Sequence, residues 1–221
     1  MATAVGAPAR RSSFQAKHAM WVVYGILTVI VLLFRERTLL DPNSFLRQRY
    51  APISWLMYLH GIPAAIALIL GVFQFSTPLR QRYPQIHRVM GRIYVGCVFI
   101  GAPVAFLIET RIPLPTGMMI VAIHASGWLL TTGTALYCIR VGNIQQHREW
   151  MIRSYPFAMV FIVARAVGLI PAIERAGIMA SVASIWTVLA VACFLPSFLI
   201  EWQAIAKTRR TTKVRAMAMA D

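Results

Sequence analysis

The chain has 221 residues, 58% of them hydrophobic and 13% charged, with a formal net charge of +15. An ordinary soluble domain is about half apolar, so this composition points to lipid as the solvent for most of the chain. The positive charge does not indicate nucleic acid, because the basic residues sit in short segments between uncharged stretches and form no aromatic-basic cassette on a soluble face.

Cys97, Cys138 and Cys193 all fall in apolar stretches, so neither a disulfide framework nor a Cys-x-x-Cys-His attachment site is expected. Residues 1–17 start basic, with Arg10, Arg11 and Lys17, and read as a cytoplasmic tail. The apolar stretch that follows is longer than a signal core and has no convincing small-residue cleavage site, so it reads as a retained span.

In chain order, apolar stretches near 18–34, 53–75, 86–108, 117–139, 150–173 and 177–200 are each close to the ~20 residues that cross a bilayer. The expected fold is an all-α integral membrane protein. Six transmembrane helices occupy 18–203, spans two to five form an up-and-down four-helix bundle over 53–173, and 204–221 is a second basic tail. With the N-terminus inside, Arg10, Arg11, Lys17, Arg80, Arg82, Arg88, Arg92, Arg140, Arg148, Arg153, Lys207, Arg209, Arg210, Lys213 and Arg215 lie on the cytoplasmic side. The other side holds Arg35, Arg37, Arg47, Arg49, Arg111 and Arg175. The positive-inside bias therefore places both termini on the cytoplasmic side, although the first outer loop runs against it.

The middle spans look duplicated. His60 in span two is followed by His87-Arg88 and Arg92-Ile93-Tyr94, and His124 in span four by His147-Arg148 and Arg153-Ser154-Tyr155, with a longer interval in the second copy. At 1.5 Å per residue, His60 and His124 each lie ~10 Å along inward-running spans. His87 and His147 start the returning spans, so the four histidines form two depth-matched pairs on diagonal helices. Histidine is costly in a bilayer. Two such pairs, one near each face, are what two bis-histidine haem b groups stacked across a membrane require.

Small residues follow each outer histidine at helical spacing: Ala64, Ala67 and Gly71 after His60, and Gly127, Thr131 and Ala135 after His124. They leave room for a flat macrocycle, and they equally suit close helix packing in lipid. Arg165 lies five turns after His147 on the same face, at a depth close to His60 and His124, where a haem propionate would neutralise it. Arg88, Arg92, Arg148 and Arg153 are ordinary interfacial arginines for lipid phosphate, or holders of inner propionates. Trp128, Trp150, Tyr94 and Tyr155 read as packing or interfacial aromatics. No Gly-rich phosphate loop, His-Glu-x-x-His or nucleophile elbow is present.

The stretch from His60-Gly61 through Gly71, Gln74-Phe75, Leu79-Arg80 and His87-Arg88 to Gly91-Arg92-Ile93-Tyr94, with His147-Arg148-x-Trp150-Met151-Ile152-Arg153-Ser154-Tyr155, resembles domain of unknown function 2306. That resemblance covers roughly 55–170 and implies a multi-pass membrane protein without an assigned activity. The histidine layout is separately similar to the ascorbate-dependent b-561 di-haem cytochromes. Their second and fourth helices hold one haem, and their third and fifth hold the other. Carried over, His60 and His124 match the first pair and His87 and His147 the second; no other motif of that group is present.

The expected function is transmembrane electron transfer between a small donor and a small acceptor on opposite faces. The rivals are a haem-free transporter or sensor with proton-relay histidines, and an accessory subunit of a homo-oligomer or larger membrane complex. Pro63, three residues after His60, keeps a broken-helix substrate site among these alternatives.

Overall fold

The computed structural model describes residues 16–34 and 41–219, and within them every regular element is helical. The expectations for Arg10, Arg11, Arg35 and Arg37 lie outside the described residues. The helices are α1 (Ala16–Phe34), α2 (Phe45–Tyr50), α3 (Ser54–Gln74), α4 (Thr77–Arg82), α5 (Pro84–Arg111), α6 (Gly117–Arg140), α7 (Ile144–Val167), α8 (Pro171–Arg175) and α9 (Ile178–Ala218).

Local chemistry sets their boundaries. Ser44 and Ser76 cap α2 and α4 by accepting the amides of Arg47 and Leu79 at 3.1 and 3.3 Å. Asn143 caps α7 through the Gln146 amide at 3.1 Å. Pro84 and Pro171 occupy first-turn positions, where a missing N–H costs nothing. Gly142 and Gly177 follow α6 and α8 with φ of 78° and 83°, the left-handed geometry that ends helices and favours glycine.

Five segments are long and apolar enough to cross a membrane: Arg47–Gln74, Pro84–Arg111, Gly117–Arg140, Ile144–Val167 and Ile178–Thr208. The expected first span differs from these, because within α1 the described apolar stretch is the shorter Val22–Val31. The expected fifth span is also shifted, from 150–173 to Ile144–Val167, because the Asn143 cap starts the helix early and Pro171 begins a separate one. At the C-terminal end the expected tail from 204 is helical, as α9 runs on without a break to Ala218.

α3 packs on α5, α5 on α6, and α6 on α7, while α7 also carries α1 and α9 and touches α3. The diagonal pairs α3 with α6, and α5 with α7, make no extensive backbone contact. Close approach comes from small residues facing rings. A methyl group at Gly71 of α3 would overlap the Tyr155 ring of α7, and one at Gly127 of α6 would overlap Phe157. Tyr155 also donates its hydroxyl proton to the Leu68 carbonyl at 2.8 Å, fixing α7 to α3. The interior is a continuous cluster that includes Tyr94, Val98, Ala125, Trp128, Tyr155 and Phe157. Outside it, Ile62, Ile69, Phe99, Leu130 and Phe194 are exposed, as expected where lipid tails replace water.

Candidate functional site

The four histidines take up four different helices, and three of them bond to backbone of a neighbouring helix. His60 Nδ1 of α3 lies 2.9 Å from the Gly101 carbonyl of α5. His124 Nε2 of α6 lies 2.8 Å from the Phe157 carbonyl of α7. His147 Nδ1 of α7 lies 2.8 Å from the Ala135 carbonyl of α6. A carbonyl only accepts, so each of these nitrogens carries a proton and donates it. In the neutral ring the lone pair then sits on Nε2 of His60 and His147, but on Nδ1 of His124. The fourth, His87 of α5, keeps its Nδ1 buried without a hydrogen-bond partner.

The electrostatic reach of the rings runs within the expected depth pairs. His60 and His124 are near enough to interact electrostatically, as are His87 and His147. Their surroundings differ. His124 is buried, with its ring 5.9, 5.9 and 5.2 Å from the rings of Trp128, Phe157 and Phe161. His87 and His147 are only half-buried, at the end of the molecule rich in Arg80, Arg82, Arg88, Arg140 and Arg148, which we call the basic face.

Between the two levels lies a knot of polar side chains. Tyr94 of α5 and Ser154 of α7 share a hydrogen bond of 2.9 Å. Thr132 of α6 reaches Ser154 at 2.7 Å, and the Trp128 indole N–H donates to the Tyr94 hydroxyl at 3.2 Å. Tyr94, Thr132 and Ser154 are fully buried, so each hydroxyl depends on the others for partners. The sequence signal for this knot was present. Tyr94 stands seven residues after His87, and Ser154 seven after His147, so both return to the face of their histidine two turns on.

Two further residues were not singled out. Gln74 closes α3, is 8% exposed and holds a buried Nε2 without a partner. Glu109 near the end of α5 is buried, and its carboxylate accepts the Leu114 amide at 2.7 Å while lying against Gly117 at the start of α6. Each is a lone polar residue ending an apolar run, and Gln74 also falls within the stretch that carries the family resemblance.

The arginines separate into different roles. Arg88, Arg92 and Arg148 are exposed. Arg153 is engaged elsewhere, donating from Nε to Ser197 Oγ at 3.2 Å, lying 5.0 Å over the Trp150 ring and 3.9 Å from Glu149. Arg165 is exposed in the last turn of α7, within electrostatic reach of His60. That corrects its expected mid-span depth: α7 starts and stops earlier than 150–173, and a cation at a helix C-terminus is favoured by the dipole. Among the described residues, no group of three or more His, Cys, Asp and Glu is arranged to hold a metal ion, so any iron here would need a macrocycle to complete its ligand set.

Apolar spans, interior histidines and a buried polar knot define a multi-pass α-helical membrane protein. The family model described as "Predicted membrane protein (DUF2306)" matches residues 57–205, and the chain belongs to that family. No curated protein matches the chain, and no solved structure does. The likeness to di-haem cytochromes therefore rests on the four histidines alone.

Proposed function

We propose that the chain is a membrane-embedded b-type redox protein that holds one haem b between His87 and His147 at its basic face. In this reading α1 is a sixth span and α3, α5, α6 and α7 form an up-and-down four-helix bundle. Both termini lie on the cytoplasmic side of a bacterial inner membrane. The contacts of α3 with α5, α5 with α6, α6 with α7 and α7 with α3 support that ring, and the excess of arginine and lysine on the basic face supports that orientation.

The observation that carries the proposal is the inner histidine pair. The Ala135 carbonyl fixes His147 through Nδ1 and leaves Nε2 free, which is how ligating imidazoles are normally oriented. His87, near it on the diagonal helix, has a buried ring nitrogen without a partner. These residues fit a bis-imidazole group. The outer level does not. His124 spends its Nε2 on the Phe157 carbonyl inside a box of three rings, and the space at Gly71 and Gly127 is filled by Tyr155 and Phe157. The second of the two expected haems, and electron transfer from face to face through it, are therefore not part of the proposal.

A bound haem would supply one-electron exchange. The chain's own residues hold and shield it. His147 and His87 would hold it, and the polar knot with Trp128 would close the site towards the bilayer centre and keep water out. Arg88, Arg92 and Arg148 present positive charge for propionates and for an anionic donor or acceptor arriving at the basic face. Arg153 is excluded from that set by its bonds to Ser197 and Glu149.

The test is a reduced-minus-oxidised spectrum of protein expressed with haem supplied, with a pyridine haemochrome assay. Low-spin b-type bands at about one haem per chain are expected, lost in His87→Ala and His147→Ala and retained in His124→Ala. A folded protein with no chromophore, or two haems with one lost in His124→Ala, refutes the assignment. One observation favours a haem-free, proton-linked transporter or sensor instead, namely the buried Tyr94–Ser154–Thr132 hydroxyl chain. Proton flux into vesicles by a colourless protein, abolished in Ser154→Ala, is the result that would establish it.

A further inference from the structure

We infer that the basic face carries an oxyanion site, built from the Gln74 amide, the His87 ring and the Arg80 guanidinium, that takes a phosphate group. The starting point is a pair of buried nitrogens without a hydrogen-bond partner. Gln74 Nε2 and His87 Nδ1 both lack a partner, and Gln74 is 8% exposed. A buried donor left unmatched costs roughly 1–3 kcal/mol, so the Gln74 amide calls for an acceptor.

The groups lie along the first turns of α5. Gln74 Oε1 lies 3.4 Å from where a Cβ on Gly91 would sit, so the amide lies over α5 one turn from His87. Arg80, on the short helix α4 that packs against α5, is within electrostatic reach of His87, as is Arg88. The first turn of α5 opens beside them with Pro84 and no side-chain cap, so its free amides add positive potential. Nothing acidic competes. The sequence has no Asp or Glu between Asp41 and Glu109, and Glu149 on α7 is taken by Gln145 at 3.1 Å and Arg153 at 3.9 Å.

Donors of three kinds, arriving from α3, α4 and α5, suit a tetrahedral oxyanion with several acceptor oxygens and a negative charge. A phospholipid headgroup in the adjoining leaflet and a free phosphate share that chemistry. The site shares the His87 ring with the proposed haem pair, but Gln74 and Arg80 have no part in holding iron, so variants at those two residues test it apart from the haem reading.

Full-length protein in neutral detergent is melted with inorganic phosphate, with phosphatidylglycerol, or with a phosphate-free glycolipid, and Tm is followed by tryptophan fluorescence. Phosphate or phosphatidylglycerol raises Tm in the wild type and the glycolipid does not. A shift with phosphatidylglycerol alone assigns the headgroup, and a shift with phosphate alone assigns the free anion. Gln74→Leu, which removes the unmatched donor, melts at or above the wild type without ligand and loses the shift. Arg80→Gln needs about tenfold more ligand for the same shift. Equal shifts with glycolipid and phosphatidylglycerol, no shift with any addition, or full shifts retained in both variants overturn the proposal. So does loss of haem absorbance in Gln74→Leu with phosphate binding unchanged, since the donors would then serve the macrocycle. Failure of the haem spectrum alone leaves this site standing.

Discussion

Ser154 is the junction of the buried polar knot, and its replacement by alanine has a magnitude that can be worked out. Its Oγ bonds to Tyr94 at 2.9 Å and to Thr132 at 2.7 Å, and all three side chains are fully buried. In water-soluble proteins each lost bond costs about 0.5–1.5 kcal/mol, more where a partner is left buried and unmatched. Interhelical bonds in lipid average ~0.6 kcal/mol and reach ~1.7, because the unfolded helices also find partners. Two bonds then give about 1–2 kcal/mol for Ser154→Ala. Tyr94→Phe, which also releases the Trp128 indole N–H, should cost a similar amount. The two changes share one bond, so the double variant should fall short of additivity by about 0.5–1.5 kcal/mol. Reversible unfolding with increasing mole fraction of dodecyl sulfate in mixed micelles measures all three. A coupling below about 0.3 kcal/mol would show that the knot is not the cooperative unit described.

Other outcomes follow from the packing and the caps. Gly71→Ala forces a methyl group into the Tyr155 ring and should destabilise the protein by about 1–3 kcal/mol in the same assay, with partial relief from Tyr155→Leu in the double variant. Asn143→Ala removes the cap of α7 and should cost about 0.5–2 kcal/mol, while Asn143→Asp stays close to the wild type. Glu109→Ala removes the acceptor for the Leu114 amide and should make Arg111 faster to cleave by trypsin; Glu109→Gln, which keeps an acceptor oxygen, should not.

Much of the helical layout was legible because the bilayer imposes a period and a length. Runs of apolar residues near ~20 long predicted five of the described helices. The ends were less legible where a cap overrides hydropathy. Asn143 starts α7 within a polar segment, Ile144-Gln145-Gln146-His147-Arg148, that hydropathy assigns to a loop. That shift of six residues moved Arg165 from mid-span to the last turn and removed the case for a buried counter-charge there. The placing of the four histidines on four successive helices was readable from counting alone, because position along a helix is linear in residue number. Which nitrogen each ring presents was not. It depends on a carbonyl of another helix, Gly101, Phe157 or Ala135, and no spacing within one helix encodes that. The glycines misled for a related reason: Gly71 and Gly127 do make space, but rings from α7 fill it. Gln74 was hidden because one polar residue at the end of a span is ordinary, and only its missing partner marks it.

α9 spans 41 residues without a break, a rod of about 60 Å against a hydrocarbon layer of about 30 Å. Even with tilt, its final turns extend past the lipid at the end where α7, against which α9 packs, begins. A helix of that length carries the positive charges of Lys207, Arg209, Arg210, Lys213 and Arg215 away from the hydrocarbon layer on a single continuous element.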